Sequence, residues 1–304
     1  MYEKEHAMNN ARIIKIDSLD IPELQIYKSG NEAQLLHFFE PHGGLFIAES
    51  PMVVERALNA GYKPYSMLLD ESLTAGTDDD STVPESIARV RAILDRCGDI
   101  PVYCGPETLL GRLTGFKLTR GILCAMYRKD HHDPDSICLN STRIAVLDGV
   151  ENPANVGSIF RNAAALGIDA VLLTDGCSDP FYRRSLRVSM GTSLILPWAI
   201  LSSAPAVSDS SDDNSYIGKL HQYGFTVAAM ALRDSSLPPC APELKNARKL
   251  AVILGNEGVG LPDEIINKSD YTVMIPMQRN VDSLNVAAAS AIAFWECGKQ
   301  SSDR

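Results

Sequence analysis

The chain has 304 residues, 45% hydrophobic and 22% charged, a length that suits two domains better than one and the composition of an ordinary soluble globular protein. A formal net charge of −10 argues against coating nucleic acid through bulk charge and leaves local basic patches open. No apolar run approaches the roughly 20 residues that span a bilayer, and the seven cysteines contain no CxxC pair, which argues against a disulfide framework or a zinc site and for a reducing, cytoplasmic setting.

The first residues, MYEKEHAMNNARIIKI, mix charges of both signs and lack an apolar core. No secretory signal is expected there, and residues 1–20 read as a flexible tail. From Gly30 the pattern alternates: helix NEAQLLHFFE, strand GLFIAES, helix PMVVERALNAGY, strand PYSMLLD, helix PESIARVRAILDRCG, strand PVYCG, helix PETLLGRLTG and strand GILCAMYR. This predicts a small α/β domain over residues 21–130. The acidic stretches ESLTAGTDDDSTVPES (71–86) and SDSSDDNS (208–215) read as solvated loops. KDHHDPDSICLNST (129–142) is polar, carries a proline and reads as a linker. His131 and His132 have no third ligand at a sensible spacing, so no metal is expected.

A second alternation begins at Arg143: strand RIAVLD, helix NVGSIFRNAAALG, strand DAVLLTD, helix PFYRRSLRVSMG, the apolar SLILPWA, helix SYIGKLHQYG, strands FTVAAMA, KLAVILG and YTVMIP, and a long helix LNVAAASAIAFWE. Strands that are apolar throughout and alternate with helices predict a mostly parallel sheet covered on both faces.

Four stretches in this second domain carry polar groups that packing alone does not require. In NPANVGSIFRN (152–162), Val156, Ile159, Phe160, Ala163 and Ala164 form an apolar stripe, with Asn155 as a candidate N-cap and Gly167 as the stop. Ser158, Arg161 and Asn162 share the opposite face. A capped helix with a solvated arginine accounts for this, and so does a site, because loops at the carboxyl ends of parallel strands are where ligands bind. VILGNEGVGLPDE (252–264) runs a strand into Gly255, Gly258 and Gly260, in neither the GxGxxG nor the P-loop pattern. Its glycines permit close backbone approach to a flat ligand, and Glu257 suits one that is cationic or rich in donors; a tight turn with a surface carboxylate is the alternative. MIPMQRNVDSLNVAAASAIAFWE (274–296) predicts a helix capped by Asp282 or Ser283, its Ala/Ser core calling for a closely packed neighbour. Ser283, Asn285 and the backbone near Leu284 are polar groups at its positive end, with simple capping as the alternative. In DPFYRRSLRVSMGT (179–192), Arg183, Arg184 and Arg187 share a face beside Tyr182, as phosphate contacts or as a solvated surface.

Taken in order, NPANVGSIFRNAAALG, LGNEGVGLP and IPMQRNVDSLNVAAASAIAFWE resemble the three signature motifs of the SpoU/TrmH family, RNA 2′-O-ribose methyltransferases of the SPOUT class. The resemblance covers residues 141–298. The first domain resembles the small α/β substrate-binding domain that many members carry, related to RNA-binding ribosomal proteins, on its pattern and on KLTRGILCA near its end. What this implies for the fold is an α/β SPOUT domain with a parallel sheet and a deep trefoil knot, which periodicity cannot predict, preceded by a ribosomal-protein-like RNA-binding domain. It also implies S-adenosylmethionine held largely by backbone groups at Leu254, Gly255, Asn256, Gly258, Ile275, Met277 and Leu284, with Asn285 nearby. A homodimer follows, its site near the interface, acting on ribosomal or transfer RNA with no membrane and no metal. Arg161 matches the family's catalytic arginine and Asn155 its neighbouring asparagine; Glu257, Ser283 and Asn285 match the other polar members. One departure stands out: many members have glycine where this chain has Arg279 or Asn280.

The expected activity is S-adenosylmethionine-dependent methylation of a ribose 2′-hydroxyl, favouring ribosomal over transfer RNA by analogy. The rivals are a non-catalytic RNA-binding protein with a degenerate methyltransferase domain, and a dinucleotide-dependent oxidoreductase. The second lacks GxGxxG and the acidic residue about 20 positions later.

Overall fold

Two sheets organise the chain, because the strand-forming runs are apolar on both faces and must be covered by helices twice over. The computed structural model describes residues 13–28, 32–39, 43–74, 84–114, 121–201, 215–279 and 282–299. It divides into one unit of Met1–Asp130 with Phe181–Arg183 and another of His131–Pro180 with Arg184–Arg304. The acidic stretches at 75–83 and 208–214, residues 117–120 of KLTRGILCA, and Asn280 lie outside the described residues.

The first unit runs β1 (Ile13–Lys15), a 3-10 turn at Pro22–Tyr27, α1 (Glu32–Leu36), β2 (Leu45–Glu49), α2 (Pro51–Asn59), β3 (Pro64–Asp70), α3 (Glu85–Arg96), β4 (Val102–Gly105), α4 (Glu107–Thr114) and β5 (Ile122–Tyr127). The strand order is β1-β4-β3-β5-β2, with β5 antiparallel to both of its neighbours. Leu24, Leu45, Ile47, Leu68, Leu110 and Leu123 fill one core of this unit. The expected tail is corrected at its end. Ile13–Lys15 pairs in parallel with β4, because a three-residue edge strand needs ladder hydrogen bonds more than a hydrophobic pattern.

The second unit runs α5 (Pro134–Asn140), β6 (Arg143–Asp148), α6 (Pro153–Ala165), β7 (Ala170–Thr174), α7 (Arg183–Val188), β8 (Trp198–Leu201), α8 (Tyr216–Gln222), β9 (Thr226–Met230), α9 (Pro242–Lys245), β10 (Leu250–Gly255), α10 (Asp263–Lys268), β11 (Tyr271–Val273) and α11 (Val286–Cys297). Its six strands are parallel throughout, in the order β11-β9-β10-β6-β7-β8. The segment read as a linker contains α5: Asp133 caps it by accepting from Ser136 N (3.0 Å), and Ile137 and Cys138 are buried. A polar composition had concealed two core residues behind Pro134, which opens the helix.

The end of the chain is fastened to the corner between α6 and β7. Lys299 N donates to Gly167 O (3.0 Å) and its Nζ pairs with Asp169 at 2.7 Å. Arg143 Nε donates to Cys297 O at 2.9 Å. A Cβ on Gly298 would stand 1.8 Å from the carbonyl oxygen of Leu166, so only glycine fits this crossing. The chain thus returns from edge strand β11 to lie against α6 and β10, the path that the expected trefoil knot needs. Among the described residues, no helix is long and apolar enough to cross a membrane.

Candidate active site

The site lies at the carboxyl ends of β6, β9 and β10, where the connecting loops of a parallel sheet converge. The loop after β6 is held from several sides. Asp148 accepts from Tyr216 Oη (2.8 Å) and from Thr174 Oγ1 (3.2 Å), and Thr174 Oγ1 in turn accepts from Gly149 N (3.0 Å). Burial first, and then the Asp148 carboxylate, push the Tyr216 phenol far above its ordinary value, so Tyr216 stays a neutral donor. From the other side Asn256 Nδ2 donates to Gly149 O at 2.8 Å, while Asn256 Oδ1 accepts from Gly258 N at 2.7 Å. One asparagine therefore shapes the glycine loop and pins it to the β6 loop.

Asn155 is not the N-cap of α6. Asn152 is, accepting from Ala154 N (2.9 Å), because Pro153 brings the fixed φ of a first helical residue and lets Asn152 stay extended. Asn155, buried one turn into the helix, does something else. Its Nδ2 donates to Glu257 Oε1, and its Oδ1 accepts from Asn285 Nδ2 at 3.2 Å. One side chain thereby joins the loop after β6, the glycine loop after β10 and the start of α11.

The cap expected of Asp282 or Ser283 also belongs elsewhere: Asn285 caps α11, accepting from Ala287 N at 2.9 Å. Ala164, placed in the apolar stripe of α6, is exposed, while Val156, Ile159, Phe160 and Ala163 are buried. Asn162, read as part of the solvent face, instead donates to Ala287 O (2.8 Å) and Ser290 Oγ (2.9 Å) and holds α11 against α6. This is the close neighbour that the Ala/Ser composition of α11 called for.

Beside this junction opens a cavity of about 570 Å³, within the usual range for a small-molecule site. All the positions expected to hold the cofactor line it: Leu254, Gly255, Asn256, Gly258, Ile275, Met277, Leu284 and Asn285, with Glu257 and Ser283 at the same rim. Gly255 is required there, since a Cβ would fall 2.8 Å from the Gly260 carbonyl carbon and from Leu261. The sequence reading missed the contribution of Met230–Arg233 at the end of β9. The signal was available in principle, because a strand parallel to and beside β10 must end at the same edge. An apolar floor, exposed backbone at a glycine loop and a carboxylate at the rim fit a flat, partly cationic ligand such as S-adenosylmethionine.

Arg161 is exposed on α6, and no hydrogen bond or ion pair ties it to another described residue. Arg183, Arg184 and Arg187 fall on the short helix α7, with Arg184 and Arg187 exposed and Arg183 half-buried. Arg279 is exposed, with φ +58°. This is the left-handed backbone that favours glycine.

Residues 142–295 match the SpoU rRNA Methylase family model. A protein of Mycobacterium bovis, described as an uncharacterized tRNA/rRNA methyltransferase, is 34% identical over 279 residues, 91% of this chain and 88% of that one. A 23S rRNA (guanosine(2553)-2′-O)-methyltransferase of Bacillus subtilis is 32% identical over 166 residues, 54% of this chain and 61% of that one. Among solved structures, an rRNA methyltransferase of Sinorhizobium meliloti with bound AdoMet superimposes with a TM-score of 0.71 at 22% identity, covering 94% of this chain and 97% of that one; it shares the fold.

Proposed function

The chain belongs to the SpoU rRNA methylase family and is an S-adenosylmethionine-dependent RNA methyltransferase; from that premise we propose that it methylates a ribose 2′-hydroxyl of ribosomal RNA, with Arg161 as the catalytic residue. The observation that carries this reading is the Asn155 junction. It draws the three polar motifs together at the rim of one cavity that the expected cofactor residues line.

When bound, S-adenosylmethionine supplies a methyl group that its sulfonium charge has already activated. The chain's task is then to position and polarise the attacking hydroxyl. We assign Arg161 a charge-stabilising role in preference to that of a general base, for which a guanidinium is ill-suited. It holds the phosphate of the target nucleotide and stabilises the alkoxide charge that develops on the 2′-oxygen, a role that suits an exposed side chain with no partner among the described residues. Ser283 at the rim, or the adjacent phosphate, takes the proton away. Asn155 keeps Glu257 and Asn285 in register at the rim, where the carboxylate would suit a cationic group of the cofactor. Arg184 and Arg187, with Arg183, supply further phosphate contacts.

The working form is a homodimer. Helix α11 is apolar nearly all round, and Ile292 and Trp295 remain 38% and 65% exposed after α6 has packed. A soluble helix that is apolar on every side needs a second cover, and a second copy of this chain provides it.

The test is to incubate the protein with methyl-labelled cofactor and total RNA from a strain lacking the gene, then to map the position that becomes resistant to alkaline cleavage. Label on a ribose of ribosomal RNA is expected. Label on transfer RNA would move the substrate, and label on a base with the ribose unmodified would sink the 2′-O assignment.

A further inference from the structure

One cation near the cavity is left unexplained by the site as described. The loop between β11 and α11 touches the cavity at Ile275 and Met277 and again at Ser283, Leu284 and Asn285, but Arg279 does not line it. At Arg279 the backbone turns through φ +58°, a conformation that side-chain-bearing residues rarely hold without compensation. No hydrogen bond or ion pair joins Arg279 to another described residue, and Asp282, three residues on and also exposed, does not pair with it. A chain with a net charge of −10 thus exposes, on a loop whose two ends reach the cavity, a guanidinium that pairs with no described residue, on a backbone that would be less strained as glycine.

The place of Arg279 outside the lining selects the ligand. An unpaired guanidinium in the lining would oppose a cationic methyl donor, and Arg233, which does line the cavity, is paired with Asp263; an exposed one on the adjoining loop suits what delivers the ribose. We propose that Arg279 is an RNA-backbone clamp, taking a phosphate of the strand that carries the target ribose as it enters the cavity mouth. This rests on the functional reading above and adds to it a phosphate site on the third motif, separate from the one assigned to Arg161. Guanidinium suits the task because its planar fork meets phosphate oxygens in pairs.

The experiment uses the full chain and the variants Arg279→Gly and Arg279→Lys. The binding of S-adenosylhomocysteine is measured by calorimetry. The binding of a fluorescein-labelled oligoribonucleotide, and of protein-free ribosomal RNA from a strain lacking the gene, is measured from about 50 to 200 mM salt. Arg279→Gly is expected to weaken RNA binding roughly three- to tenfold at the low end and to flatten log K against log salt by about 0.7–0.9, one phosphate contact's worth. Its S-adenosylhomocysteine affinity is expected to stay within about twofold of wild type, with a melting temperature equal or higher. Arg279→Lys keeps the salt slope, since the charge remains. An unchanged slope in Arg279→Gly overturns the proposal while leaving the functional reading intact. A fall in S-adenosylhomocysteine affinity in that variant also overturns it, by reassigning Arg279 to the cofactor. Wild-type protein that binds neither probe overturns the functional reading and this inference together.

Discussion

In the first unit, the side-chain pairs Arg89 with Glu55, Arg96 with Asn59 and Tyr27 with Ser66 are 34, 37 and 39 positions apart, and Arg128 and Lys129 reach only backbone carbonyls, 83 and 69 positions away. In the second, Asn155 reaches Glu257 and Asn285 across 102 and 130 positions, and Asn162 reaches Ser290 across 128. The strands explain the contrast. A wholly parallel sheet brings the carboxyl ends of β6 and β10, 107 positions apart in register, to one edge. A polar pair in the first unit fastens two neighbouring helices; in the second it fixes where separate loops meet around a cavity. Cutting one should cost stability alone, and cutting the other should cost chemistry.

The largest expected effect tests the chemical side of that contrast. Arg161→Ala should lower turnover by about 10²–10³-fold, the usual loss for one preorganised charge-stabilising group. S-adenosylhomocysteine affinity and melting temperature should barely move, because the exposed side chain has no partner among the described residues. Asn155→Ala should instead reduce both turnover and S-adenosylhomocysteine affinity, and cost about 1 kcal/mol for the hydrogen bonds lost, since the exposed Glu257 and Asn285 that it releases can turn to water. Single-turnover kinetics alongside calorimetry separates the two. If Arg161→Ala lost cofactor binding as completely as turnover, its assignment to the transferring step would be wrong.

Next in size is the crossing where the last helix ends. Gly298→Ala places a methyl group 1.8 Å from the Leu166 carbonyl oxygen, a backbone atom that cannot swing aside. Overpacking of this kind costs about 1–3 kcal/mol or more. Thermal or urea unfolding should show it, and activity at low temperature should persist in the fraction that folds. A melting temperature within a degree or two of wild type would mean that the end of the chain is less firmly seated than the contacts at Gly167, Asp169 and Arg143 imply.

How far the molecule could be read from its sequence follows the same division. The parallel sheet was legible from strands apolar throughout, and the buried side of α6 from a 3.6-residue stripe, apart from Ala164 at its edge. The helix starts were not. Asn152 and Asn155 have identical capping chemistry, and Pro153 decides between them; Asp282, Ser283 and Asn285 pose the same choice ahead of α11, where Asn285 caps. Part of the cavity lining was legible through the resemblance of three motifs, which carry Leu254–Gly258, Ile275, Met277 and Ser283–Asn285, but Met230–Arg233 lie on none of them. The Asn155 junction was not legible, since a hydrogen bond across 102 positions leaves no local pattern. The α5 helix was missed because Ile137 and Cys138 are too few to make a periodic signal.

The smallest expected effect closes the contrast from the other side. Arg89 Nε donates to Glu55 Oε1 at 2.8 Å, and the pair fastens α3 to α2. The Arg89 hydrogen bond, with the guanidinium's charge added, outweighs partial burial and holds the Glu55 carboxyl below its ordinary value. A depressed carboxylate stabilises the fold above its unfolded pKa, about 4.3, and loses that contribution as pH falls through the folded value. With the two side chains 40% and 27% exposed, solvent screens the pair, so Glu55→Gln should cost less than about 1 kcal/mol at neutral pH. It should cost progressively less below about pH 4, as wild-type Glu55 itself becomes protonated. Methyl transfer should match wild type at every pH where both are folded. Urea titrations of the two proteins at neutral pH and near pH 3.5 give the stability difference, and the labelled-methyl assay gives the rest. A turnover defect in Glu55→Gln with stability unchanged would break the division, because a local pair in the first unit would then be serving the chemistry of the second.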